Sequence, residues 1–110
     1  RYDRVGLFGY SFGGGVALLT AAETPTVVAA AALAPVSELE DGSDVIAAVP
    51  RTDAPLWVGY GTRDTTGDAA AVAEAVTDGG TVERLPADHF FVGQERDVGE
   101  RVAVFFERVL

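Results

Sequence analysis

Residues 5–19 read VGLFGYSFGGGVALL, an apolar run that ends in a serine set among glycines and gives way to small and apolar residues. A strand ending near Phe8 and a helix starting near Gly13 fit the two flanks. The glycines between them admit two readings. One is a plain flexible turn. The other is a turn built to hold the Ser11 hydroxyl in a strained, exposed position at the seam between strand and helix. The rest of the sequence decides between them.

Working outward, residues 13–23 carry Val16, Leu18, Leu19 and Ala22 as a helix packed closely on a sheet would, and Thr24 and Pro25 stop it. Residues 27–33 are continuously apolar, which suits a strand covered on both faces. An acidic loop follows, with a short helix expected over residues 44–49. Residues 56–60 read as a third strand, residues 68–77 as an alanine-rich helix ended by Gly79 and Gly80, and residues 81–85 as a fourth strand before Pro86. Val98, Val102, Phe105, Phe106 and Val109 recur at helical spacing. Such alternation predicts an α/β fold, a parallel sheet with helices on both faces, in one domain over residues 1–110.

Composition narrows the function. The chain has 110 residues with no cysteine and one histidine, which removes disulfides, thiolate metal sites and histidine-rich metal centres. No acidic cluster has calcium-loop spacing, so no metal is expected. Eight basic residues stand against 17 acidic ones, for a net charge of −9, and every basic residue is arginine. An acidic, lysine-free surface resembles that of salt-adapted proteins, in which concentrated cations screen the self-repulsion; the plainer reading is an arginine-preferring genome. No basic stripe is present for nucleic acid, and no apolar run is long enough to span a membrane. A cytoplasmic location is expected. With no methionine, the chain is expected to be a piece of something longer.

In parallel sheets functional groups collect at the carboxyl ends of the strands. Those ends deliver Ser11, Asp64 and His89, in that chain order. Gly9-Tyr10-Ser11-Phe12-Gly13 matches the nucleophile-elbow pattern G-x-S-x-G, in which the two glycines are expected to remove Cβ atoms that would collide with strand and helix. The Phe12 N–H, at the helix start, can point at a developing oxyanion. His89, in LPADHFFVG, is the only imidazole able to serve as base. Asp64, in YGTRDTTGD, ranks first as the carboxylate that orients it; Asp68, which suits a helix cap better, and Asp88, since a neighbouring residue rarely presents its carboxylate to the adjacent ring, rank well behind. Tyr10 and Phe12 flank the nucleophile and are expected to line the substrate pocket.

GYSFGG, the APVS segment, PLWVGYGTRD and LPADHFF with its terminal helix together resemble the C-terminal half of an α/β-hydrolase, strands five to eight of the complete sheet. The short stretch between Pro35 and Pro55 is most similar to compact, dienelactone-hydrolase-like members. The resemblance implies a serine hydrolase acting on a small-molecule ester, thioester or lactone without a cofactor. It also implies that the second oxyanion donor and the strand flanking Ser11 belong to an upstream half. The first strand would then be an exposed edge open to self-association. Two other classes compete: a non-catalytic half-domain pairing through that edge, and an anion-binding module at Gly13–Gly15 of the helix start.

Overall fold

Apolar segments separated by short turns build a sheet one strand at a time. A computed structural model describes residues 4–65, 68–77 and 79–110. Its strands are β1 (Val5–Tyr10), β2 (Val27–Leu33), β3 (Leu56–Gly61) and β4 (Thr81–Leu85), and they form one parallel sheet in the order β1-β2-β3-β4. The helices are α1 (Phe12–Glu23), α2 (Val45–Ala48), α3 (Ala69–Glu74) and α4 (Glu95–Val109), with a single 3₁₀ turn at Val49–Arg51. Among the described residues no helix is long and apolar enough to cross a membrane.

The core follows from the two-residue period of the strands. In β2, Ala30 and Ala32 face a cluster with Leu18 of α1, Val45 of α2, Val58 of β3 and Val72 of α3. Ala29, Ala31 and Leu33 face the opposite cluster, with Trp57, Leu85, Phe91 and the α4 residues Val98 and Phe105. Helices therefore cover both faces, as the pattern predicts. The alanines of β2 are fully buried, so small side chains let both layers approach this strand.

Several boundaries differ from the sequence reading by a residue or more; β3, for one, includes Gly61, and three others are instructive. β1 continues past Phe8 because Gly9 and Tyr10 still pair with Ala32 and Leu33, so the glycine does not end the strand. α1 begins at Phe12, one residue earlier than expected. α3 stops at Glu74 rather than running to residue 77. There the Ala75 and Val76 amides turn to carbonyls three residues back, Val72 and Ala73, which tightens the helix out of α geometry.

Candidate active site

The turn between β1 and α1 holds Ser11 at φ 57° and ψ −116°, a backbone state that costs a residue with a side chain about 1–3 kcal/mol. Three main-chain hydrogen bonds hold it there. The Ser11 N–H donates to Leu33 O (2.8 Å), and the Ser11 carbonyl accepts from Gly15 N and Val36 N (both 3.2 Å). The elbow is thus tied to its own helix and to the end of β2.

The glycines act differently from the expectation drawn from the motif. A Cβ on Gly9 would overlap the Gly13 carbonyl and lie 2.8 Å from the Gly14 nitrogen, so strand and helix meet backbone to backbone. A Cβ on Gly13 would meet nothing within 4 Å, which corrects the view that both motif glycines relieve a clash. The other close approaches are at Gly14, where a Cβ would sit 3.1 Å from Pro35 Cα, and Gly15, where it would sit 2.7 Å from Val36 Cγ2. The sequence shows this need only as a second and third glycine after Phe12.

The histidine loop is anchored by its neighbours. Asp88 accepts a hydrogen bond from Phe90 N (2.9 Å), and Phe91, at φ 53°, buries its ring in the α4 cluster. The loop bearing Asp64 is stapled to it. Thr62 N donates to Leu85 O (2.8 Å) and Arg63 N to Ala87 O (2.9 Å), while the Arg63 and Gln94 side chains both donate to Pro86 O (3.0 and 3.2 Å). A Cβ on Gly61 would overlap Ala87, which is what allows these loops to approach so closely.

The result brings three side chains together from positions far apart in the chain. His89 Nδ1 lies 2.8 Å from Asp64 Oδ2, and His89 Nε2 lies 2.9 Å from Ser11 Oγ. A carboxylate only accepts, so Nδ1 carries the proton, and Nε2 is left to accept from the serine hydroxyl. The His89 side chain is 14% exposed and that of Asp64 4%, so bulk water screens this chain of contacts poorly. The other two carboxylates are engaged elsewhere: Asp88 with its own turn, and Asp68 with Ser37 Oγ (3.4 Å). Asp68 does occupy the N-cap position of α3, but its side chain makes no capping hydrogen bond, contrary to the role expected for it.

Phe12 is the first residue of α1, so its N–H has no acceptor within the helix. The rings of Tyr10 and Phe12 are substantially exposed beside the serine. Tyr10 also makes a contact that sequence reasoning missed: its hydroxyl donates to the main-chain carbonyl of His89 (2.6 Å), and the two rings lie 5.4 Å apart. An open apolar groove of about 330 Å³ runs alongside, lined by Phe8, Tyr10, Leu33, Phe90, Phe91 and Val98. Larger cavities lie away from these groups, one of about 570 Å³ beside Arg101 on α4 and one of about 420 Å³ near Pro55. Among the described residues no group of three or more His, Asp or Glu side chains is placed to hold a metal ion. Chemically, the arrangement can deliver a hydroxyl oxygen to an electrophile while an imidazole takes its proton.

Residues 1–103 match the dienelactone hydrolase family. No curated protein matches the chain in sequence. Solved structures with the same fold include the α/β-hydrolase GrgF from Penicillium sp. sh18, with a TM-score of 0.84 and 16% identity over 99% of this chain and 65% of that one. The esterase domain of a Rhodothermus marinus protein aligns with a TM-score of 0.78 and 22% identity, over 94% of this chain and 59% of that one. The enol-lactonase from Burkholderia xenovorans LB400 aligns with a TM-score of 0.78 and 14% identity, over 97% and 66%. The chain thus spans somewhat under two thirds of the length of these structures.

Proposed function

The chain belongs to the dienelactone hydrolase family, and from that premise we propose that it hydrolyses a carboxylic ester, thioester or lactone through an acyl-enzyme on Ser11. The observation that carries this reading is the run of two hydrogen bonds from Ser11 Oγ through His89 to Asp64, at 2.9 and 2.8 Å. Ser11 Oγ attacks the acyl carbon as its proton passes to His89 Nε2. The carbonyl oxygen becomes an oxyanion that accepts from the Phe12 N–H. The carbonyl re-forms, the bond to the leaving oxygen or sulfur breaks, and His89 returns the proton to the departing group. Water then attacks the acyl-enzyme with His89 as base, releasing the acid and restoring the serine. Asp64 holds the imidazole in the tautomer this needs and stabilises the imidazolium that forms. Phe12 supplies one oxyanion donor, and lack of a second costs on the order of 10²–10³ in turnover.

The test is covalent labelling by a fluorophosphonate probe, at molar and at low salt, in the protein and its Ser11→Ala variant. Labelling that disappears with the hydroxyl is the expected result. No labelling of the folded protein at either salt overturns the reading. Stronger labelling at molar salt is expected if the net charge of −9 is a salt adaptation.

A second reading, association through β1, is supported by its place at the sheet edge and by the half-exposed Phe8 ring beside it. Sedimentation of the parent and Phe8→Lys proteins tests it: loss of a dimer in the variant supports pairing, and a monomeric parent refutes it.

A further inference from the structure

We propose that Tyr10 is a positioning residue for the base: its hydroxyl holds the His89 main chain against the elbow, so that Nε2 stays on Ser11. This rests on the reading of Ser11 and His89 given above. The adjacent residues Tyr10 and Ser11 grip one histidine at two points, Tyr10 Oη on its carbonyl oxygen at 2.6 Å and Ser11 Oγ on its ring at 2.9 Å. Among the described residues these are the hydrogen bonds that join the β1–α1 turn to the β4–α4 loop.

The need for such a tie follows from the topology. β1 and β4 are opposite edges of the sheet, separated by two strands. The other restraints on the histidine loop, the Asp88–Phe90 turn, the buried Phe91 and the Arg63 and Gln94 staples to Pro86, fix it to β2, β3, β4 and α4. None of them is a hydrogen bond to β1. Without Tyr10, the serine–histidine bond would be the one hydrogen bond joining the two loops among the described residues, and its proton is the one being transferred. The Tyr10 bond is untouched by that transfer and moves with the elbow. A role confined to lining the groove would need only the ring.

The chemistry of the phenol suits the task. Desolvation of the hydroxyl, followed by the negative charges of Asp64 and Asp88, raises the Tyr10 pKa, so the hydroxyl remains a donor at neutral pH. The charged and titratable groups around it are Asp64 from the β3–α3 loop, Asp88 and His89 from the β4–α4 loop, and Glu95 of α4 across the shared groove. A pKa raised on folding means the bond is fully present below pH 10 and is lost as pH rises through the folded value. The phenolate would then face the His89 carbonyl with no proton between them.

The experiment follows fluorophosphonate labelling rate and p-nitrophenyl acetate turnover from pH 7 to 11 in the parent and Tyr10→Phe proteins, with a thermal melt of each. The expected result is labelling about three- to tenfold slower in Tyr10→Phe at pH 8, matching loss of one hydrogen bond. In turnover, kcat should fall with KM unchanged. Where the raised Tyr10 pKa comes within this range, the parent should also lose rate reversibly as pH rises through it, and the variant should not. Equal rates and the same alkaline behaviour in both proteins overturn the proposal while leaving the nucleophile intact, and a raised KM with unchanged kcat assigns Tyr10 to substrate lining instead. If Tyr10→Phe fails to fold, Tyr10→Leu decides: labelling at the parent rate in that folded variant overturns the proposal. A parent that does not label at all fails the hydrolase reading, and the positioning role with it.

Discussion

Gly9 and Gly13 occupy equivalent places in the motif, yet replacing each by alanine should have opposite consequences. At Gly9 the added methyl would overlap the Gly13 carbonyl and crowd the Gly14 nitrogen, all of it backbone that cannot rotate away. Restoring van der Waals contact requires α1 to move from β1 by about 1 Å. Overpacking of this kind costs about 1–3 kcal/mol, and rigid backbone on both sides places Gly9→Ala toward the upper figure. At about 4–8 °C per kcal/mol, the melting temperature should fall by roughly 10–20 °C. The same shift displaces Ser11 from His89, and a misplacement of about 1 Å slows reaction on the order of 10²-fold. Gly13→Ala instead places a methyl where nothing lies within 4 Å, inside a helix, and should stabilise by about 0.5–1 kcal/mol. Circular-dichroism melts and fluorophosphonate labelling of the two variants beside the parent provide the assay. Equal melting of Gly9→Ala and parent, or an equal loss in both variants, would refute the reasoning.

Ser11→Gly should remove the nucleophile and yet raise stability by about 1 kcal/mol, because glycine accepts φ 57° and ψ −116° without strain; a lower melting temperature contradicts this. Asp64→Asn should leave the fold intact and lower ester turnover by on the order of 10⁴, because the amide selects the wrong imidazole tautomer. A loss under tenfold would remove Asp64 from the mechanism. Glu83 accepts from the buried Trp57 indole (2.6 Å) and also binds Arg101 of α4. Glu83→Ala leaves that indole N–H unpaired and should cost about 1–3 kcal/mol in urea denaturation, and an unchanged midpoint would refute the bridge.

The element order was legible because its signals are local. The unbroken apolar run of β2 could only suit a strand covered twice, and Pro86 marks the end of β4. The convergence of Ser11, Asp64 and His89 was legible for a topological reason: parallel strands bring all their carboxyl ends to one edge, so chain order alone gathers the loops. What escaped was set by tertiary contact. Gly9 looks like a strand stop until its pairing with Ala32 is seen, and the unequal burden on Gly9 and Gly13 depends on which backbone lies opposite each. The Tyr10–His89 bond joins residues 79 positions apart, and nothing local to a tyrosine before a serine announces it. Glu83 gave no sign either, since a carboxylate in an alternating strand reads as solvent-facing until α4 brings Arg101 to it.

Because the strands stack in the order in which they are synthesised, the sheet can grow by simple accretion, each new strand finding its partner already in place. Among these four strands, Ser11 follows the first and His89 lies in the loop after the last. Until β4 has paired with β3, the Ser11 hydroxyl therefore has no imidazole beside it. The Ser11–His89 contact forms when β4 joins the sheet and α4 closes over Phe91, so a chain that stalls before that point holds the hydroxyl without its imidazole.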